Sequence, residues 1–275
     1  MINLDHLIQS RMFRLLSVAC AVWIAAGFAC VTSISAQSLS AHELIARMRP
    51  KSTGGFYARL RMEIHDSAAS VKPIVLQVQI KGRRTETSLD ILYQVIYPKD
   101  RKGEGVLLRR QDGKPTEGAS YVPGGSITSF GPGDLLTPLF GSDLCYEDMD
   151  QGGFFNWENL AELGLATIEK RPCITVELSP SKDRDCGYTK VRSVIDTKRQ
   201  VVLRLEKFTA SSDPLHIIET THVVTADNGR IVPDKFTVLT PIRNTSTLIE
   251  GHSQKAATYD NSQFKPEALL QLTRP

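Results

Sequence analysis

"PIVLQVQIK", residues 73–81, sets Ile74, Leu76, Val78 and Ile80 on one parity and Gln77, Gln79 and Lys81 on the other. A period of two is that of an extended strand with one face out of water, because successive side chains point to opposite sides of a sheet. The same period runs through "FYARLRMEIH" (56–65), "SLDILYQVIYP" (88–98) and "GVLLRR" (105–110), with Gly, Pro, Lys and Asp cutting the runs apart. It returns in "CITVELS" (173–179), "YTKVRSVID" (188–196), "QVVLRLEKF" (200–208), "LHIIETTHVV" (215–224), "IVPDKFTVLT" (231–240) and "STLIEGHS" (246–253), where "DTKRQ" and "ADNGR" supply turns. Ten or so strands on short connections predict a mainly β protein, one large antiparallel sheet curled on itself. Helical periods do not alternate with the strands, so a doubly wound α/β fold is excluded.

Two segments depart from that texture. In "SLSAHELIARMR" (38–49), Leu39, Leu44, Ile45 and Met48 fall at helical spacing, with Ser40 as N-cap, Glu43 three residues on and Pro50 as the stop. Residues 111–160, rich in Gly, Pro, Ser and Asp, predict a loop carrying a short helical plug around Leu135, Leu136, Leu139 and Phe140.

The chain has 275 residues, 41% hydrophobic and 23% charged, which supplies a core and argues against disorder. The net charge of +3 comes without any stripe of Lys and Arg interleaved with aromatics, so no nucleic-acid partner is expected. Arg11 and Arg14 precede an apolar run from Leu15 to Val31 and then small residues, the pattern of an export signal over 1–36 cleaved after Ala36. An uncleaved anchor is the alternative. A lipoprotein signal would need a different residue than Ser17 or Gly27 three positions ahead of Cys20 or Cys30. Residues 37–275 are then a single exported domain, in which Cys145, Cys173 and Cys186 predict one disulfide and one free thiol. A simple hairpin register would set Cys186 opposite Leu178, which counts against pairing Cys173 with Cys186.

Candidate chemistry is sparse. Ser142 and Asp143 lack the Gly-x-Ser-x-Gly elbow, so Gly141-Ser142-Asp143 reads as a turn with its side chains capping backbone NH groups. Asp143, Glu147, Asp148 and Asp150 fail the oxygen spacing of a calcium loop. His216 and His222 share a strand face but span about 20 Å, too far to chelate one ion. No catalytic residue, metal or cofactor is expected. What stands out is apolar surface: Leu76, Val78, Ile80, Leu89, Ile91, Tyr93 and Val95, with Val201, Leu203 and Leu205, on one alternating face. One helix and one plug are little cover for that face, so the pattern fits either an ordinary filled core or a partly open cavity.

"YQVIYPKDRKGEGVLLRR", "SYVPGG" and "SITSFGPGDLLTPLFGSDLCYEDM", within residues 93–149, resemble the outer-membrane lipoprotein-sorting protein family, the periplasmic carriers similar to the lipoprotein carrier of the Lol pathway. The match is densest at Leu139-Phe140-Gly141-Ser142-Asp143 and Tyr146-Glu147-Asp148. The resemblance implies a half-open β-barrel, lidded by helices and loops, whose concave face holds acyl chains of lipids or lipoproteins. On that reading Leu139 and Phe140 plug the barrel mouth, Gly141 permits the turn, and Asp143, Glu147 and Asp148 fix the loop by accepting from backbone NH groups. Membrane transport proteins would be its delivery partners. The chain departs from the family in the uncharged "GGSITSFGPG" and in Leu144, and the carriers' acyl-binding arginine is not assigned to any residue here. A protein-binding envelope sensor on the same half-barrel is the rival reading, and a hydrolase using Ser142 or a cysteine a second.

Overall fold

The computed structural model describes residues 40–272 except 51–52, 69, 151 and 227–228, and at 252–253 the backbone alone. The export signal expected over 1–36 lies outside the described residues. Helix α1 (Ala41–Met48) begins with the expected capping box: Ser40 accepts from the Glu43 amide and Glu43 accepts from the Ser40 amide. Leu44, Ile45 and Met48 form its buried stripe.

Thirteen antiparallel strands follow: β1 (Gly54–His65), β2 (Ile74–Arg84), β3 (Ser88–Tyr97), β4 (Gly105–Gln111), β5 (Glu117–Tyr121), β6 (Thr128–Phe130), β7 (Asn159–Ile168), β8 (Arg171–Ser179), β9 (Lys190–Asp196), β10 (Val201–Phe208), β11 (His216–Thr225), β12 (Ile231–Thr240) and β13 (Thr245–Ala257). They form one sheet in the order β6-β5-β4-β3-β2-β1-β13-β12-β11-β10-β9-β8-β7. Strand β1 joins β2 on one side and β13 on the other, and β6 and β7 remain as free edges, so the barrel is half open. Leu39–Pro275 forms one compact unit, and every strand and core cluster described falls within it.

The register places the alternating residues of the N-terminal half as their period requires. Val78 faces Leu60 on β1 and Val95 on β3, Ile80 faces Tyr93, and Leu76 faces Met62. Gly82 lies where a Cβ would stand 2.2 Å from the Phe56 ring, so the aromatic covers the strand only because the side chain is missing.

Three expectations are corrected. Strands β5 and β6 lie where a loop was expected, and β7 follows it in a stretch given no element. Leu203 does not share a face with Leu205, because a bulge between Val202 and Arg204 reverses the alternation. Leu203 and Val201 pack with Cys173 in a cluster apart from Leu205, which packs with Ile174, Val176 and Ile195. The disulfide is absent: all three cysteines are free. Cys173 lies opposite Asp196 and packs on the far side of β8 from its neighbour Ile174, out of reach of Cys145 and Cys186 on the other face.

The convex face of β3 and β4 is also covered. Leu92, Leu107 and Ala119 pack with Phe264 and Leu269 of the C-terminal segment, and the buried Gln94 amide donates to the carbonyls of Leu269 and Gln271 at 3.4 and 3.2 Å.

Candidate functional site

The concave face is filled by residues 131–150 and 152–157, a strap of short 3-10 turns between β6 and β7. Leu135, Leu139, Phe140, Leu144, Tyr146 and Met149 from the strap enter one cluster with Leu76, Val78, Ile80, Leu89, Ile91, Tyr93, Val95, Val106 and Leu108. The expected lining residues of β2 and β3 are therefore together, each no more than 5% exposed, and in contact with protein rather than open space. Helix α1, Phe155 and Trp157 cover the other half of the face with Leu205, Ile174, Val176 and Leu178. Among the described residues, the strap packs against the face on which the resemblance implies an acyl-chain cavity. A pocket of about 190 Å³ lies at the β2–β3 and β4–β5 hairpins; it is lined by Arg83, Asp90, Arg109, Arg110, Lys114 and Glu117 and suits no acyl chain.

Local geometry of the strap follows from its signature residues. Phe140 and Gly141 both take left-handed backbone, at φ +55° and +75°, which turns the chain back on itself. Ser142 closes the turn by donating to the Leu139 carbonyl at 2.7 Å and accepting from the Leu144 amide at 3.2 Å, which is the capping role expected of it.

The acidic residues act differently from the expectation. Cys145 and Gly187 do give backbone NH groups to Asp148 and Glu147, at 2.8 and 3.3 Å. The principal partners, though, are side chains of distant strands. Asp143 accepts from Thr247 at 2.7 Å and also from Thr245, both on β13. Asp150 pairs with Arg84 of β2 at 2.8 Å and Arg110 of β4 at 2.9 Å, and Arg110 also stands 2.8 Å from Glu147. Asp148 pairs with Lys207 of β10 and accepts from the Tyr188 hydroxyl at 3.1 Å, which in turn meets His216 Nδ1 of β11 at 2.9 Å. Arg84, Arg110, Lys207, His216 and Thr247 occupy inward positions on their strands, in phase with Ile80, Leu108, Leu205, Ile218 and Ile249. That is the signal a sequence reading could use: a cation at a core parity needs a buried anion.

Burial alone would protonate these carboxyls, but Lys207 and His216 at Asp148, and Arg110 and Arg84 at Asp150, outweigh it and hold both below the usual range. Lys207 is raised in turn, its burial overcome by Asp148. Burial and then Asp148 push the Cys145 thiol well up, and burial with Glu147 pushes Cys186 up to about 12. Cys145, Asp148 and His216 present ligand atoms within 4.8 Å of one another. The Lys207 ammonium pairs with Asp148 in the same cluster, and the Tyr188 hydroxyl bridges Asp148, Cys145 and His216.

Comparison with known proteins follows the same line. A family model described as "Uncharacterized protein" matches residues 89–271. The chain belongs to that family. No curated protein matches it. Among solved structures, the domain of an outer membrane lipoprotein-sorting protein from Vibrio parahaemolyticus superposes with a TM-score of 0.73 at 16% identity, covering 84% of this chain and 98% of that one. A DUF1329 family protein from Desulfovibrio piger gives 0.74 at 16% identity, over 83% and 97% of the two chains. A LolA superfamily protein from Nitrosomonas europaea gives 0.66 at 14% identity, over 81% and 94%. The fold is thus the LolA-like open barrel that the signature residues implied.

Proposed function

We propose that the protein is an exported carrier of the periplasm, sheltering acyl chains of a lipid or lipoprotein on its concave face for transfer toward the outer membrane, without covalent chemistry. The observation that carries this reading is the strap. Its six apolar side chains occupy the face an acyl chain would occupy, and it is a separate segment fastened by ion pairs rather than a strand of the sheet. Each buried methylene of a ligand gains about 0.8 kcal/mol, so roughly ten of them rival the apolar contacts the strap would give up. Uptake then exchanges one set of contacts for another, which keeps it reversible, as delivery to a membrane transport protein requires.

The test is lipid extraction and mass spectrometry on protein exported with its own leader and purified without detergent, together with uptake of a fluorescent fatty-acyl probe. Stoichiometric lipid or saturable uptake is expected. A second reading, a protein-binding envelope module on the same half-barrel, is favoured by the filled concave face itself. Protein that is lipid-free and takes up no probe would support that reading and exclude the carrier.

A further inference from the structure

Antiparallel order brings the β8–β9 and β10–β11 connections and the β1–β2, β3–β4, β5–β6 and β12–β13 hairpins to one end of the sheet, the last four as consecutive tips. Each tip carries a large apolar side chain in water. Val71 is 53% exposed and Ile74 49% on the first, Tyr97 54% on the second, Val122 61% on the third and Ile242 87% on the fourth. These are five of the nine large apolar residues exposed among the described residues, and every one stands within two residues of a proline: Pro73, Pro98, Pro123 or Pro241. A proline fixes its own φ and restricts the residue before it, so the tips are stiff prongs. Leaving such side chains in water gains the fold nothing, and their confinement to one end marks an interaction surface.

We infer that this end of the half-barrel docks on an anionic phospholipid surface. The tips are two strands, or about 10 Å, apart. Separate prongs suit a fluid interface, where each side chain enters between headgroups, better than a protein partner, which needs a continuous complementary patch. Tyr97 has the apolar body and polar tip favoured at that depth. Exposed Lys72, Lys99 and Lys102 sit on the same tips without a carboxylate partner among the described residues, while Arg101 is bound to Glu104 at 2.7 Å and Arg243 faces Asp143 at 3.5 Å. Exposed Asp66 and Asp100 on these tips have no cationic partner among the described residues either, so the unpaired charge, three lysines against two aspartates, is positive by one and complementary to acidic headgroups. Two of these hairpins also hold the plug, since Arg101 donates to the Phe140 carbonyl at 3.1 Å and Arg243 approaches Asp143. The docking end is thus one of the two ends at which the strap is fastened, Asp150 with Arg84 and Arg110 holding it near the other.

The test uses the compact unit Leu39–Pro275, which contains all the strands, in co-sedimentation with phosphatidylethanolamine vesicles containing phosphatidylglycerol, against phosphatidylcholine vesicles. The wild type is expected to pellet with the anionic vesicles and far less with the neutral ones. Val71→Ser, Tyr97→Ser, Val122→Ser and Ile242→Ser combined should weaken partition at least about tenfold, and Lys72→Gln, Lys99→Gln and Lys102→Gln by about fivefold per lysine. Leu163→Ser with Leu165→Ser, equally exposed but on the edge strand β7, should change nothing. A wild type that binds neither vesicle overturns the proposal and assigns the rim to a protein; so does a four-tip variant, folded by circular dichroism, that binds undiminished, or an edge variant that loses as much. Acyl-probe uptake measured without vesicles is independent: docking without uptake refutes the carrier alone, and uptake without docking refutes the docking alone.

Discussion

The ammonium of Lys207 on β10 pairs with Asp148 in the strap, and the two side chains are 9% and 2% exposed. Neither charge has water to fall back on. The pair therefore fixes where the strap lies more than it adds to stability, because the cost of desolvating two ions offsets most of their attraction. The Arg84–Asp150–Arg110 group does the same near the opposite end of the sheet.

Removing one partner should be far worse than removing both. Lys207→Met strands the Asp148 carboxylate, which predicts a loss of about 3–5 kcal/mol in urea unfolding. Lys207→Met with Asp148→Leu should recover most of it. A double variant as unstable as the single one would mean that the Tyr188 and His216 contacts to Asp148, not the Lys207 pair, hold the strap.

Stability should peak near neutral pH, and the signs can be worked out group by group. Asp148 and Asp150 are lowered in the fold, so their contribution is complete above the unfolded value of about 3.9 and is lost as pH falls through the folded one. His216 is lowered by burial, so the unfolded chain takes up its proton first and stability begins to fall below about pH 6.5. Cys145 and Cys186 are raised, so the unfolded chain loses those protons first and stability falls above about pH 8.5. A thermal midpoint that is level from about pH 7 to 8 and declines on both sides is expected. His216→Gln should delay the acid decline to the carboxylate range.

What the sequence made legible was whatever depends on period. Leu76, Val78 and Ile80 had to share a face, Ser40 and Glu43 had to start a helix, and Gly141 had to turn. What it hid depends on departures from period. The bulge beside Leu203 leaves no mark in "QVVLRLEKF", and β7 buries so little of its length that its side chains need no regular alternation. Two signals were present but unused. Leu92 and Leu107 are apolar on the wrong parity, as strands covered on both faces are, and Arg84, Arg110 and Lys207 are charged on the core parity.

The strap should open locally before the sheet unfolds. Asp143 carries its anchor to β13: its carboxylate accepts from Thr247 and its amide donates to the same hydroxyl at 2.9 Å. Asp143→Ala should raise amide exchange across residues 139–149 by about 10–100-fold, the equivalent of roughly 1.4–2.8 kcal/mol, with β2 and β3 unchanged. Phe140→Ala, which empties part of the concave face, should cost about 3–5 kcal/mol globally. If the carrier reading holds, Asp143→Ala should also take up acyl probe faster, since the strap leaves the face more often.

The thiols report on the same strap. Cys145 is 1% exposed with its thiol between Asp148 and Tyr188, and Cys186 lies 3.4 Å from Glu147 with its pKa at about 12. Thiolate is the reactive form, so burial and Glu147, which push Cys186 up to about 12, leave it far less reactive at pH 8 than a free thiol. Native Leu39–Pro275 should accordingly react with a thiol reagent over hours, and the denatured chain should yield three thiols at once. Two thiols missing after denaturation would reveal a disulfide and overturn the free-cysteine arrangement. Asp143→Ala should quicken Cys145 in step with its exchange, because that sulfur belongs to the strap and is buried while the strap is closed.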